Sequence, residues 1–260
     1  MQVNSYLEIK VLSVFIETSG KANPKDKGPF VAVAVMIQNE DLDKFKFGLQ
    51  ELKLLSMPQG INVSLKTNDI IHGNRYWGKL SFERRSQILD RMMKMIEISN
   101  IKIVYSVINN KTTRGVDTRE LTLKIEQMAF NELVLRTYLA LHNFSKPEIR
   151  PILDRNQWDH DRKLLEGTGK LIFDQFKQKC DLDLIQNYIV EAPIFSTSAN
   201  EPFIGLVNLI SYVVRVNYYR IRHNYRFTFH KYFSIIQSKL YKGFDESDPK
   251  AGVFEILSGP

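Results

Sequence analysis

Two carboxylates in this chain close apolar, β-branched runs. Glu17 follows Val11–Ile16 and leads straight into Thr18, Ser19 and Gly20; Asp154 ends the segment "EIRPILD", Glu148–Asp154. An acid carried to the end of a strand and followed by a sharp turn suits metal-dependent chemistry, because carboxylate oxygens are hard ligands for hard divalent cations. The same arrangement can equally cap a turn or pair with a lysine. In α/β sheets functional groups collect at strand ends, so the pattern expects Glu17 and Asp154 side by side. His72, with Gly73 and Trp77 close behind, sits in a shaped loop, "HGNRYWGKL", and reads either as a hydrogen-bonded structural histidine or as a base. Asp159, His160 and Asp161 have the composition of metal ligands, although acids also favour the positive end of a helix dipole. The single cysteine, Cys180, excludes an internal disulfide and a cysteine-based zinc site, which fits a reducing, cytoplasmic setting.

Charge gives a second candidate function. The chain of 260 residues carries a formal charge of +7, and Pro202–Phe244 contains no Asp or Glu. That segment holds Arg215, Arg220, Arg222, Arg226, Lys231, Lys239 and Lys242; removing these seven from the 36 basic residues leaves 29, equal to the 29 acids. The whole excess is therefore local, the electrostatic footprint of a polyanion binder. Tyr212, Tyr218, Tyr219, Tyr225, Phe227, Phe229, Tyr232 and Phe233 interleave with these cations, a pattern suited to RNA or single-stranded DNA. The competing readings are aromatic core at helical spacing and a homodimer interface, where Tyr and Arg are also enriched.

The elements that must position these residues follow from periodicity. Tyr6–Glu17 and Lys27–Asn39 read as strands joined by a long polar turn. Leu42, Phe45, Leu49, Leu52 and Leu55 share one helix face; Phe82, Ile88, Leu89, Met92 and Ile96 form another stripe behind a Ser81 N-cap. Ile101–Asn109 reads as a strand, and a long helix follows with Leu121, Ile125, Met128, Leu133, Leu135 and Leu139 on its buried side. Glu148–Asp154 is a short strand, a helix weakened by Gly167 and Gly169 comes next, and "LDLIQNYIVEAPIF" contains a further strand. A helix opening at Pro202 and a last one over about 229–241 complete the order. No apolar run reaches a membrane-spanning length of about 18 residues, and "MQVNSYLEIK" shows no leader pattern. A hairpin followed by β–α–β–α–β–α predicts one mixed α/β sheet flanked by helices over 1–222, with a helical insertion at about 41–99. A basic, aromatic, helical extension at 223–260 packs on the same domain.

These segments resemble the domain-of-unknown-function 3800 family, whose members open with a strand reading "YIDESG". "FIETSG", Phe15–Gly20, matches it in spacing; "DIIHGNRYWGKL" echoes a family E-x-H motif at His72 and Gly73, with "ERR" in the next helix. "PILD" matches the later strand ending on Asp154, and "SANEPFIGLVNLISYVV", Ser198–Val214, has the shape of "S…LLQLADLIAY". The resemblance spans roughly residues 6–220. It implies a ribonuclease H-like fold and a metal-dependent nuclease. It also shows departures: Glu17 replaces Asp, Thr18 replaces an acid, Ile70 occupies the E position with Asp69 one residue early, and Asn208 replaces the Asp of "ADL".

Two-metal phosphodiester cleavage clamps the attacking and leaving oxygens between ions about 4 Å apart, held in such sites by several carboxylates. By resemblance, Glu17 and Asp154 are the metal ligands for Mg²⁺ or Mn²⁺ and Asn208 a weak third, with His72 orienting substrate or moving a proton. Ser19, Asp69 and Asp159 are accessory candidates, and Asp161 or Glu201 could complete the site. The expectation is a nucleic-acid-acting protein related to metal-dependent ribonuclease H-like nucleases, with a weakened active site. The alternative is an inactive relative that binds nucleic acid or a protein partner, in the family's setting of defence against mobile elements.

Overall fold

The structure is a computed structural model that describes residues 11–21, 28–56, 63–108, 148–154, 194–196, 200–219, 229–241 and 255–256, together with the helical residues 125, 129, 133 and 137. Six strands form one sheet: β1 (Val11–Ser19), β2 (Phe30–Gln38), β3 (Lys102–Ile108), β4 (Glu148–Asp154), β5 (Ile194–Ser196) and β6 (Glu255–Ile256). Their spatial order is β5-β4-β1-β2-β3-β6. β1, β2 and β3 pair antiparallel, while β4 runs parallel to β1 and β5 parallel to β4. A three-stranded antiparallel meander extended on the β1 side by two parallel strands is the ribonuclease H-like arrangement expected from the sequence.

Between β2 and β3 the chain forms α1 (Asn39–Ser56), α2 (Thr67–His72), a 3-10 turn (Arg75–Lys79) and α3 (Phe82–Ile98). After β5 come α4 (Pro202–Tyr219) and α5 (Phe229–Lys239). The sheet is buried on both faces, which explains why β2 reads "FVAVAVMIQ" without alternation. On one face Phe15, Val31, Val33, Val35 and Ile37 meet apolar residues of α1, α3, α4 and α5. On the other, Val14, Ala32, Ala34, Met36 and Val104 meet Ile125, Ala129 and Leu133 at i, i+4, i+8 of a helix.

Local signals place the helices. Ser81 caps α3, its hydroxyl accepting from the Arg84 amide at 3.2 Å. Leu42, Phe45, Leu49 and Leu52 are buried as their spacing predicts, whereas Leu55 is 58% exposed. Gly205 lets α4 approach the 63–67 segment: a Cβ there would lie 2.5 Å from Leu65 Cβ. One expectation needs correction. The first strand does not stop at Glu17 but runs to Ser19, because β2 keeps pairing with it through Glu17–Val33 and Ser19–Val31. Glu17 therefore lies inside a ladder, not at its end.

Candidate active site around Glu17

Strand geometry settles which way Glu17 faces. It shares a face with Phe15, two residues earlier, and that face is covered by α4. Phe203 of α4 packs on Phe15 with ring centroids 4.5 Å apart and on Phe45 at 5.3 Å. Five residues further along the helix is about 7.5 Å, and two along the strand about 6.6 Å. Strand and helix therefore run side by side, and the next facing pair after Phe15–Phe203 is Glu17–Asn208.

Asn208 Nδ2 donates to Glu17 Oε1 at 2.7 Å. The other end of the same amide, Oδ1, accepts from the Thr67 backbone N–H at 3.0 Å, at the first residue of α2. Glu17 is fully buried, as is Thr67, while Asn208 is partly exposed. Burying a carboxylate is costly without hydrogen bonds. The amide of Asn208 supplies one, and its two ends tie β1, α4 and α2 together. Thr67 Oγ1 adds a buried hydroxyl with no hydrogen-bond partner in the structure.

β4 brings the second carboxylate position alongside. The β1–β4 register runs to Ile16–Leu153, so the next residue on each strand sets Glu17 and Asp154 at adjacent positions. Neighbouring strands lie about 4.8 Å apart. Asp154 in turn pairs with Ser196 of β5. The juxtaposition expected from the sequence is thus present in the backbone.

The remaining site candidates separate. Asp69 lies on α2, half-buried, its Oδ1 accepting from Asn74 Nδ2 at 3.2 Å, and Ile70 next to it is fully buried in the core. His72 ends the same helix, exposed, about 7.5 Å along the helix from Thr67 by helical rise. Ser19 stands at the last β1–β2 pair, opposite Val31. Glu201 directly precedes α4 and pairs with Lys46 at 2.9 Å; it lies seven residues before Asn208, about 10.5 Å by helical rise. Asp159, Asp161 and Cys180 lie outside the described residues, as do Arg220, Arg222, Arg226 and Lys242.

Within the described part of the basic segment, the cations make intramolecular contacts. Arg215 Nε donates to the Pro29 carbonyl at 3.2 Å and its guanidinium lies against Gly20 and Gly28 at the base of the β1–β2 turn. A Cβ at Gly20, whose φ is +92°, would sit 2.8 Å from Arg215 Nε. Lys231 Nζ pairs with Asp90 at 2.5 Å, and Lys239 Nζ donates to the Ser99 carbonyl. Phe229, Tyr232 and Phe233 are buried in the core. The described aromatics of this segment therefore follow the helical-core reading of the sequence. The Tyr232 hydroxyl donates to Asp90 Oδ1 at 2.7 Å, and burial, then that bond, then the Asp90 charge push its ionisation far above the usual phenol range.

Two features were not visible in the sequence: the bridge from Asn208 to Thr67 and α2 itself. An asparagine in the middle of an apolar helix, "IGLVNLISYVV", was the one available sign of the first.

No protein-family model and no curated protein matches the chain. Among solved structures it is similar to Bst-RNase HIII in complex with Mn²⁺, at 13% identity and a TM-score of 0.39. That match covers 80% of this chain and 53% of the other, so the chain spans about half the length of that protein. It is similar also to the RNase HII of the PCNA complex from Archaeoglobus fulgidus (16% identity, TM-score 0.39, 92% and 84% of the two chains). The ribonuclease H2 from Pyrococcus horikoshii OT3 matches at 14% identity and a TM-score of 0.36, over 92% and 83%. Superpositions this loose carry nothing about the site. The fold rests on the strand order and directions. Among the described residues, no helix is long and apolar enough to cross a membrane.

Proposed function

We propose that this chain is a nucleic-acid-acting protein of the ribonuclease H-like fold, related to the domain-of-unknown-function 3800 family, in which the position of a metal-dependent site persists in a weakened form. The observation that carries the reading is the orientation of the Asn208 amide. A divalent cation such as Mg²⁺ or Mn²⁺ is the group such a site implies. It needs oxygen ligands, and Asn208 turns its N–H₂ group toward Glu17 while its oxygen is taken by Thr67. The donor set described around Glu17 therefore does not fit a two-ion site. Asn208 acts there as a hydrogen-bond donor to one oxygen, Oε1, of the buried Glu17 carboxylate, rather than as an oxygen ligand beside it.

This favours binding over cutting. The Glu17–Asp154 adjacency supports the location of the site, and the +7 charge of the chain supports a polyanionic partner. The test combines labelled single- and double-stranded RNA and DNA with Mg²⁺ or Mn²⁺, beside Glu17→Gln and Asp154→Asn. Salt-sensitive binding with no or slow cleavage is expected. Rapid cation-dependent cleavage that both substitutions abolish would show an intact site and overturn the weakened-site reading. Absence of binding to every substrate at low salt would remove nucleic acid as the partner.

A further inference from the structure

The loop after α2 carries features that the fold does not require. From His72 to Arg85 the chain places Arg75, Lys79, Arg84 and Arg85 against one acid, Glu83. Arg75, Tyr76 and Lys79 are all exposed, Tyr76 by 40%, and Lys79 Nζ lies 5.2 Å above the Tyr76 ring centroid. Arg84 is directed back to the protein, to Gln87 Oε1 and the Leu55 carbonyl, each at 3.3 Å.

The backbone here is held in an uncommon shape. Gly73 has φ +66°, and Arg75 has φ +55°, the sole positive φ among the described non-glycine residues. A left-handed conformation is unfavourable for a residue with a Cβ, and such strain persists only where the surroundings enforce it. They do so here. Trp77 is buried and its Nε1 donates to the Ser64 carbonyl at 3.3 Å. The Asn74 amide N–H donates to the Asp69 carbonyl at 2.9 Å, and the Asn74 side chain to the Asp69 carboxylate. Glycine would fit at position 75 with less strain. The chain instead keeps an exposed guanidinium there, beside an exposed tyrosine and a lysine.

Position links this surface to the candidate site. α2 spans six residues, about 9 Å, with Thr67 bonded to Asn208 at its head and the loop at its foot.

We propose that Arg75, Tyr76 and Lys79 form a landing surface for single-stranded nucleic acid leading to the Glu17–Asn208 site. Arg75 and Lys79 hold successive phosphates and Tyr76 stacks a base. The proposal rests on the nucleic-acid reading above and specifies where the strand lies. Phosphate contacts release counterions, so each lowers the slope of log affinity against log salt by about 0.7 for a single strand. Base stacking on an aromatic ring is sequence-tolerant and nearly independent of salt.

The test measures fluorescence anisotropy of end-labelled oligouridylate and oligothymidylate of about twelve nucleotides, within the usual site sizes, over a salt series. Arg75→Ala/Lys79→Ala is expected to weaken binding at least ten-fold and flatten the salt slope by about 1.4, two phosphates' worth. Tyr76→Ala is expected to weaken it five-fold or more at unchanged slope. Lys44→Ala/Lys94→Ala, which removes equal charge from exposed positions on α1 and α3, controls for net charge, and matched melting curves confirm folding. The RNA and DNA arms show which strand is preferred. If the wild type binds but the Arg75/Lys79 variant keeps its affinity and slope, this surface is not the landing site, while the nucleic-acid reading stands. If the wild type binds neither oligonucleotide, the single-strand landing surface falls, and the nucleic-acid reading is then decided by the double-stranded substrates of the test above. If a polyglutamate peptide competes as well as the oligonucleotides and Tyr76→Ala has no effect, the surface serves an acidic protein instead.

Discussion

Asn208 Nδ2 sits 2.7 Å from Glu17 Oε1, joining residues 191 positions apart in the chain. The bond fixes α4 against the middle strands of the sheet. Because Asn208 Oδ1 also accepts from Thr67, one amide answers a buried carboxylate and the first N–H of α2 together. Its orientation is dictated by chemistry: the carboxylate needs a donor and the amide N–H needs an acceptor.

Replacing Asn208 by leucine should therefore cost more than its area suggests. The substitution strips a donor from buried Glu17 and an acceptor from Thr67, and an unsatisfied buried group costs about 1–3 kcal/mol, more if charged. Urea unfolding of Asn208→Leu, Glu17→Leu and the double variant makes a cycle. The double variant should be less destabilised than the two singles added, since the leucines remove both partners of the bond. Strict additivity would mean that the bond contributes little.

Much of this arrangement was legible in the sequence, and the limits have physical causes. The β-branched runs and the Phe82–Ile96 stripe gave strands and helices because periodicity reports burial, and β4 spans Glu148–Asp154 as read. The end of β1 was misjudged by two residues because Ser19 is held by its partner Val31, a long-range fact. Asp69 and Ile70 stand on α2, which the sequence did not reveal. On a helix, neighbouring residues differ by about 100°, which leaves Ile70 in the core and Asp69 at the Asn74 side chain. The role of Asn208 depends on what lies on the next layer, and composition alone cannot report that.

Asn208→Asp should turn the hydrogen-bond pair into two carboxylates. Like charges in one buried place raise the ionisation of one of them and lower stability. If the weakened-site reading is right, this variant gains a cation ligand. Its melting temperature should fall below wild type without metal and rise on adding Mn²⁺ by several degrees more than the wild type does. Equal responses of the two proteins to Mn²⁺ would show that position 208 does not face a cation site.

Gly205→Ala should loosen the same junction from the other side. The added Cβ would lie 2.5 Å from Leu65 Cβ and 2.9 Å from the Leu65 carbonyl oxygen. Main-chain atoms cannot yield as a flexible side chain does, so overpacking of about 1–3 kcal/mol is expected. It exceeds the gain in helix propensity of up to about 1 kcal/mol. Denaturant unfolding should show a net loss, and hydrogen exchange at the Thr67 amide should speed up as α4 moves off the 63–67 segment. An increase in stability would mean that the helix and this segment separate readily.

Alkaline pH should find the weak point between α3 and α5. Tyr232 on α5 donates to Asp90 on α3, and Lys231 Nζ contacts the same carboxylate oxygen. Burial and Asp90 both raise the Tyr232 ionisation above its usual value of 10.0. A group whose folded value is raised contributes stability that is complete below its unfolded value and is lost as pH climbs past it. The folded protein then holds one proton that the unfolded chain has released, and this tyrosine makes stability fall by about 1.4 kcal/mol per pH unit. The window opens near pH 10. Tyr232→Phe should be less stable than wild type at pH 8, because Asp90 loses a donor, and should lose stability less steeply between pH 10 and 11. Parallel slopes in urea unfolding across that interval would mean that Tyr232 ionises in the folded state as easily as in the unfolded chain, and that the contact with Asp90 does not hold its proton.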